Sequence, residues 1–200
     1  MRDYLLLSLG ELLEREEYSN LIKSSLSEFN CKSETDLEDF LSKNAIEYQR
    51  NHFGKTFIFV DKQLLEEGSI SIMAFFTIGL TSLDISGLKK KAKKKLLGSV
   101  PGRDNMTSYS AFLIGQLGRA DNYTRDDIDG STILNECYCL IDEIQQKVGG
   151  RLIILECRPH LFEKFYSKHD YKKLNESTDR KSKTLIYTLY KKVEPIVKKV

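Results

Sequence analysis

The sequence predicts an α/β domain in which strands and helices alternate around one sheet. Two apolar runs, residues 110–117 and 151–155, flank a helical pattern over residues 132–148, which gives the order strand, helix, strand. Two further strand-like runs, residues 55–61 and 70–80, are joined by a short polar turn and predict an antiparallel hairpin. A length of 200 residues suits one domain with a sizeable core.

The first third of the chain predicts one strand and two helices. Residues 4–7 are a short apolar run, and apolar side chains then recur at helical spacing over residues 11–29. A second helix is predicted from Thr35, because the sequence from Thr35 to Glu38 has the form of a capping box. We expect both helices to pack against the core.

The last part of the chain predicts a short helix over residues 159–168 and strands at residues 171–174 and 184–190. On this reading the domain spans residues 1–192. Residues 193–200 are expected to form a flexible C-terminal tail.

Composition and cysteine spacing exclude several classes of protein. The chain is 40% hydrophobic and 30% charged, and no apolar run approaches the ~20 residues that a membrane helix needs. Its N-terminus lacks the apolar stretch of a signal peptide, so we expect no membrane association and a cytoplasmic protein. The four cysteines include no CxxC pair, and Cys137 and Cys139 point to different sides of one helix. We therefore expect no metal site.

A lysine run is the most uneven feature of the charge distribution. Six lysines fall within seven positions: Lys89, Lys90, Lys91, Lys93, Lys94 and Lys95. One interpretation is a solvated helix or lid, the usual fate of a charge run. The other is a basic patch for phosphates, either of tRNA or another RNA or of a cofactor. No aromatic residues are interleaved with the lysines, which argues against stacking on single-stranded bases.

The loop before the helix at residues 132–148 is polar and ends in Gly130-Ser131. It offers backbone N–H groups at a helix N-terminus, which carries about half a positive charge. Such an end suits a phosphate. The loop therefore predicts a site for an anionic cofactor.

With these elements in order, the chain resembles the GNAT superfamily of acyl-CoA-dependent N-acyltransferases, over nearly its whole length. The family's pyrophosphate loop reads Gln/Arg-x-x-Gly-x-Gly/Ala, and here Arg125 and Gly130 match it while Ile128 replaces the middle glycine. The resemblance implies a mixed, mostly antiparallel central sheet with helices on both faces. It also implies acetyl-CoA as the cosubstrate.

A second motif, Ile114-Gly-Gln-Leu-Gly-Arg119, resembles the family's fourth strand, whose main chain pairs with pantetheine. The implied cofactor-binding residues are Leu117, Gly118, Arg119, Arg125, Ile128, Asp129, Gly130, Ser131 and Thr132. Asp126, Asp127 and Asp129 place negative charge near the pyrophosphate, so their carboxylates must point away or the affinity for the cofactor drops.

The third motif carries the implied acid. The sequence from Phe165 to Tyr171 resembles Phe/Leu-Tyr-x-x-x-Gly-Phe, and Tyr166 falls on the tyrosine that often protonates the departing CoA thiolate. A buried core tyrosine is the alternative. Because Asp170 replaces the glycine, the turn there is expected to differ. Glu156, just past the fifth strand, is the candidate base, and a shared water or no base at all is an equal alternative.

Within the superfamily, Leu117-Gly-Arg119 and the helical segment at residues 36–41 resemble the branch of toxin acetyltransferases that act on aminoacyl-tRNA, and its phage relatives. The resemblance implies direct transfer of an acetyl group to a primary amine in a ternary complex. Dimers are common in this fold, so a homodimer is one option, but the sequence leaves the oligomeric state open. The alternatives are a non-catalytic acyl-CoA-binding module and an RNA- or protein-binding regulator.

Overall fold

The computed structural model describes residues 1–179 and 183–193. Its strands are β1 (Tyr4–Ser8), β2 (Lys55–Asp61), β3 (Ile72–Asp84), β4 (Ser108–Arg119), β5 (Leu152–Cys157), β6 (Lys172–Thr178) and β7 (Leu185–Lys192). Its helices are α1 (Leu9–Glu14), α2 (Glu16–Glu28), α3 (Thr35–Asp39), α4 (Ala45–Arg50), α5 (Lys62–Glu66), α6 (Lys90–Leu97), α7 (Gly130–Val148) and α8 (Pro159–Lys164).

The strands form a seven-stranded sheet in the order β1-β2-β3-β4-β5-β7-β6. The pairs β1–β2, β2–β3, β5–β7 and β6–β7 are antiparallel. The predicted fold class, an α/β protein with a mixed and mostly antiparallel sheet, is confirmed.

The chain divides into two compact units. Unit 1 comprises Met1–Gly79 and Ile114–Ile141, and unit 2 comprises Leu80–Leu113 and Asp142–Val200. The expected domain boundary at residue 192 stays a prediction. The expected tail lies, from residue 194 onward, outside the described residues.

Unit 1 is built on the antiparallel strands β1, β2 and β3, with apolar and aromatic side chains buried between the sheet and the helices. The ring of Phe75 on β3 contacts those of Phe29 and Phe40, with centroids 5.2 and 6.2 Å apart. The predicted helix at residues 11–29 is two helices, α1 and α2, because Arg15 between them has extended backbone angles.

The predicted capping box at the second helix is wrong. Thr35 is already the first residue of α3, and Glu34 before it makes no side-chain cap. The Glu38 carboxylate instead accepts a hydrogen bond from the Cys31 N–H at 2.5 Å. Glu38 therefore closes the turn between α2 and α3.

Unit 2 is built on β5, β7 and β6 with α6 packed against them. Leu96 and Leu97 of α6 share a buried cluster with Leu152, Ile154 and Tyr190. Strand β6 runs to Thr178. The sequence did not predict a strand beyond residue 174, because the side chains there are mostly exposed and show no apolar alternation.

Among the helices of the described residues, none combines the length and the apolar character that a membrane-spanning helix needs.

Candidate functional site

The loop between β4 and α7, residues 120–129, is fastened within unit 1 by its own backbone. The Ala120 N–H donates to Met73 O at 2.9 Å, and the Asp121 N–H donates to Asn30 O at 2.8 Å. At the other end, the Ile128 N–H donates to Thr124 O at 3.2 Å. These hydrogen bonds define the conformation of the loop.

Ile128, which stands where the GNAT pattern has glycine, is a core residue. Its side chain is fully buried, and its carbonyl oxygen accepts a hydrogen bond from Arg119 Nη1 at 3.1 Å. Its N–H already has an acceptor within the loop. The isoleucine thus anchors the loop to the core, and two of the implied contact residues, Ile128 and Arg119, bind one another.

Gly118 of β4 faces Leu37 of α3. A Cβ at this position would lie 2.5 Å from Leu37 Cδ1, which is closer than real contacts allow. Because Cδ1 is the end of a flexible side chain, a larger residue here would require Leu37 to rotate away. Gly118 therefore allows the observed position of Leu37.

Asp127 faces its own loop and the start of the chain, as the sequence reading expected. Its Oδ2 accepts hydrogen bonds from the Thr124 N–H and Oγ1, both at 2.8 Å, and its Oδ1 lies 3.3 Å from Arg2 Nε. These hydrogen bonds, and more weakly the charge of Arg2, lower the pKa of Asp127. Its negative charge is thereby neutralised locally.

Asp129 does not point away from the helix N-terminus, so for this residue the other alternative, a lower affinity for the cofactor, is the one that stays a prediction. Its Oδ1 accepts a hydrogen bond from the Thr132 N–H at 2.7 Å, so Asp129 is the N-cap of α7. The hydrogen bond from Thr132, together with one from the Ser131 N–H, lowers the pKa of Asp129 despite partial burial. A short acidic side chain at this position satisfies donors that the helix itself leaves unpaired. The predicted phosphate site thus holds a carboxylate of its own.

A second carboxylate, Asp61, organises the network that surrounds the loop. It is 1% exposed, and its Oδ2 accepts hydrogen bonds from Arg2 Nη1 at 2.5 Å and Tyr123 Oη at 3.2 Å. Its Oδ1 caps α5 through the Gln63 N–H at 3.1 Å and the Leu64 N–H at 3.3 Å.

Burial of Asp61 opposes its ionisation, but the hydrogen bonds from Arg2, Leu64 and Tyr123 and the Arg2 charge outweigh burial and lower its pKa. Arg2 therefore joins a buried carboxylate on β2 to Asp127 on the loop. Sequence reasoning missed this link, because Arg2 and Asp61 are 59 positions apart.

Glu156 and Tyr166, the candidate base and acid, both lie in unit 2. Glu156 is inside β5 and not past it, because β5 extends to Cys157. It is exposed, and its Oε1 accepts a hydrogen bond from Thr188 Oγ1 at 3.3 Å across the β5–β7 pair.

Tyr166 begins a 3₁₀ turn, Tyr166–His169, and is 8% exposed. Its ring meets those of Phe165 and Tyr171 edge to face, with centroids 5.0 and 5.5 Å apart. The Tyr171 N–H donates to Tyr166 O at 3.2 Å. Tyr166 is therefore a rigidly packed phenol.

The turn after Tyr166 keeps a glycine-like backbone even though Asp170 replaces glycine. Asp170 has φ = 65°, in the left-handed region that favours glycine and that aspartate tolerates better than most residues. The replacement therefore does not require a different turn, and the sequence-based expectation of one is wrong.

The lysine run is not uniform. Five of its lysines are exposed, but Lys93 is 6% exposed and its Nζ donates to Met106 O at 2.6 Å and Asp104 O at 3.3 Å. Lys93 thus joins α6 to the segment that leads into β4.

The described residues contain no group of three or more His, Cys, Asp and Glu side chains able to hold a metal ion.

No protein-family model matches the chain, and no curated protein matches it. Solved structures do match. A structure of AtaTR bound with acetyl-CoA is 16% identical and covers 96% of this chain and 95% of its own, with a TM-score of 0.67. A tyrosine-to-phenylalanine mutant of KacT is 12% identical and covers 96% of both chains, with a TM-score of 0.69.

A third structure, AtaT complexed with acetyl-methionyl-tRNAfMet, is 16% identical and covers 92% of this chain and 94% of its own, with a TM-score of 0.65. AtaT and KacT are toxins of the GNAT fold, and the present chain has that fold. The resemblance detected in the sequence is thereby confirmed at the level of the fold.

Proposed function

We propose that the protein is an acetyl-CoA-dependent N-acetyltransferase that transfers an acetyl group to a primary amine by direct attack. The observation that supports this most strongly is the likeness, over 96% of the chain, to a toxin whose structure contains acetyl-CoA. The order of the elements also supports the proposal: the loop lies between β4 and α7, and Tyr166 begins the turn that follows α8.

In this proposal the loop residues Arg125, Gly130 and Ser131 hold the pyrophosphate, and Leu117, Gly118 and Arg119 of β4 hold the pantetheine arm. The fit at the loop is conditional on Asp129, whose carboxylate now accepts the Thr132 N–H. Asp129 must rotate away, or share the helix N-terminus, before Thr132 can donate to a phosphate.

The amine nitrogen attacks the thioester carbonyl, the new C–N bond forms and the C–S bond breaks. Tyr166 donates its phenolic proton to the departing thiolate, which suits a group with an ordinary pKa near 10. A backbone N–H of β4 stabilises the negative charge on the carbonyl oxygen. The attacking amine loses one proton, to Glu156 or to water, and Tyr166 regains its own from solvent.

We propose that the acceptor amine is carried by RNA, as the α-amino group of an aminoacyl-tRNA. Two observations support this: the exposed lysines of α6, and the likeness to a toxin solved with acetyl-methionyl-tRNAfMet. A homodimer, which the sequence leaves open, is not tested by these comparisons.

The proposal is tested by incubating the protein with acetyl-CoA and aminoacyl-tRNA and measuring both CoA thiol release and the mass of the released aminoacyl group. We expect stoichiometric CoA and N-acetylated product. Tyr166→Phe should lower the rate by about 10²–10⁴-fold with acetyl-CoA affinity retained, because only proton donation is lost.

Tyr171→Phe is the matched control, because it removes the hydroxyl of the neighbouring buried ring and should leave the rate near that of the wild type. An unchanged rate in Tyr166→Phe would show that another group is the acid. Acetyl-CoA binding without any product would instead favour the second candidate, a non-catalytic acyl-CoA-binding module.

A further inference from the structure

The small net charge of the whole chain conceals two strongly and oppositely charged units. Unit 1 contains 10 Lys and Arg against 19 Asp and Glu, a net of −9. Unit 2 contains 21 Lys and Arg against 10 Asp and Glu, a net of +11. The two sum to the +2 of the chain. The positive charge of unit 2 therefore comes only in part from the lysine run.

Unit 2 contains a surface cavity of about 300 Å³ whose lining is dominated by lysine. The residues around it are Lys95, Asp170, Lys172, Tyr190, Lys191 and Lys192. They come from α6, the turn after Tyr166, β6 and β7. We call this the lysine cavity.

The fold brings these distant lysines together through apolar packing beneath them. Leu96 and Leu97 of α6 pack in the same buried cluster as Tyr190. This packing places the adjacent Lys95 at the edge of the cavity. On the sheet, Lys172 of β6 is directly paired with Tyr190 of β7. The positions of the ammonium groups are thus fixed by the core of unit 2.

The cavity holds more positive charge than its own residues neutralise. Lys191 Nζ donates to His169 O at 2.9 Å and lies 3.7 Å from an Asp170 carboxylate oxygen. Lys95, Lys172 and Lys192 are exposed, and none of them makes an ion pair with any residue in the described part of the chain. Clustered like charges repel one another, so an anion bound among them is favoured.

We infer that the lysine cavity binds phosphate groups of the RNA that carries the acceptor amine, an inference that rests on the proposed function. The exposed Lys90, Lys91 and Lys94 of α6 continue the positive surface away from the cavity. Cations spread over a helix and two strands match a chain of regularly spaced phosphates better than a single small anion.

The position of the cavity within unit 2 connects this binding to the proposed chemistry. Asp170, which lines the cavity, ends the turn that Tyr166 begins, and Lys191 is bonded to His169 of the same turn. RNA phosphates held here lie beside the segment that carries the proposed acid. The cavity would therefore position the RNA, while Tyr166 acts on the departing thiolate.

The test compares two triple variants with the same change in charge. Lys95→Ala/Lys172→Ala/Lys192→Ala removes the three cavity lysines that make no ion pair with another described residue. Lys23→Ala/Lys62→Ala/Lys147→Ala removes three exposed lysines that do not line it. The probe is a fluorescein-labelled RNA hairpin with a 12-base-pair stem, and its affinity is titrated between 50 and 200 mM KCl.

The cavity variant should bind the hairpin about 10–100-fold more weakly at the lower salt concentration, and the slope of log affinity against log salt should fall by about 2–3, which is 0.7–0.9 per lost phosphate contact. The control variant should keep the wild-type slope. Equal slopes in the two variants would overturn the inference. A loss of affinity for polyglutamate with RNA affinity unchanged would also overturn it, in favour of an acidic protein partner.

Acetyl-CoA-induced stabilisation, measured by thermal unfolding on the same proteins, separates this inference from the proposed function. Both variants should keep the wild-type rise, which also shows that they are folded. If the wild type is stabilised by acetyl-CoA and the two triples bind RNA alike, only the inference fails. If acetyl-CoA stabilises none of the proteins, the proposed function fails, whatever the RNA result.

Discussion

The two units use their excess charge in opposite ways. In unit 1 the acidic side chains around the loop make structural hydrogen bonds: Asp61 and Asp129 cap helices, and Asp127 closes a turn. In unit 2 Lys93 likewise makes buried hydrogen bonds and Lys191 is half-buried against the His169 carbonyl oxygen, while Lys95, Lys172 and Lys192 of the cavity are exposed. The carboxylates of unit 1 therefore fix the conformation of the loop and of nearby helix ends, whereas the exposed lysines of unit 2 are available to bind a ligand.

This contrast matters for a protein proposed to bind two polyanionic substrates. A pyrophosphate at the loop must be recognised by backbone donors in an acidic unit, where geometry and not net charge favours binding. RNA can be attracted by the basic unit through long-range electrostatics, which depend on salt. Substitutions of carboxylates in unit 1 and of lysines in unit 2 should therefore have different consequences.

The largest effect on stability is expected from Asp61→Ala in unit 1. The variant loses the cap of α5, worth about 1 kcal/mol, and the hydrogen bonds from Arg2 and Tyr123, worth about 1.5–3 kcal/mol together. A loss near 3 kcal/mol lowers the midpoint of thermal unfolding by about 6–12 °C. Asp3→Ala, at an exposed neighbour, should change it little. A similar, small change in both variants would show that the network does not hold unit 1 together.

The same substitution has a defined pH dependence. The pKa of Asp61 is lowered from its ordinary 3.8, so its stabilisation is complete above that value and is lost as the pH falls through the lower pKa of the folded protein. The difference in unfolding free energy between wild type and Asp61→Ala should therefore be constant above about pH 5 and shrink below pH 4. Urea unfolding at several pH values measures it. A difference that grows on acidification would contradict the assigned ion pair.

A smaller loss is expected from Lys93→Met in unit 2. Methionine fills the space of the buried stem but cannot donate to the Asp104 and Met106 carbonyl oxygens. An unsatisfied buried acceptor costs about 1–3 kcal/mol. Lys94→Met, next to it and exposed, should stay within about 0.5 kcal/mol of the wild type by urea unfolding. If Lys93→Met and Lys94→Met were equally stable, the hydrogen bonds of Lys93 would not stabilise the fold, and Lys93 would not differ from the exposed lysines of α6.

The smallest free-energy change is expected at the loop, from Asp129→Asn. Asparagine caps a helix about as well as aspartate, so stability should be retained while the negative charge at the N-terminus of α7 is removed. Acetyl-CoA affinity, measured by calorimetry, should rise several-fold, since a charge near a helix end is worth roughly 0.3–1 kcal/mol. Asp126→Asn is the control: it makes the same charge change at an exposed position that does not cap the helix. If Asp129→Asn binds no more tightly than Asp126→Asn, the carboxylate does not compete with the cofactor.

Much of the fold could be predicted from the sequence, because its elements have strong local patterns. The hairpin of β2 and β3 is rich in β-branched and aromatic residues, and α7 has a clear apolar face. The second half of β6 could not be predicted, since it is the last strand of the sheet and its side chains are mostly exposed. The break between α1 and α2 at Arg15 could not be predicted either, because no glycine or proline lies at that position.

The contacts around the candidate site could not be predicted from the sequence, and the assignment of the site residues stays a prediction. An aspartate before a helix can cap it or face solvent, and only the coordinates show that Asp129 caps α7. The contribution of Arg2 arises from contacts with Asp61 and Asp127, far away in the sequence. Lys93 has the same local sequence as its neighbours, and its burial depends on the segment after α6.

Thermal unfolding with and without acetyl-CoA tests the proposed cofactor site most directly. A ligand at 100 times its Kd adds about 2.7 kcal/mol, which for a chain of this size corresponds to a rise of about 5–10 °C. We expect that rise with acetyl-CoA and not with free adenine nucleotides, because the pantetheine arm contributes to binding along β4. No shift at millimolar acetyl-CoA would contradict the assignment of the loop, and would leave the lysine cavity as the principal binding site of the protein.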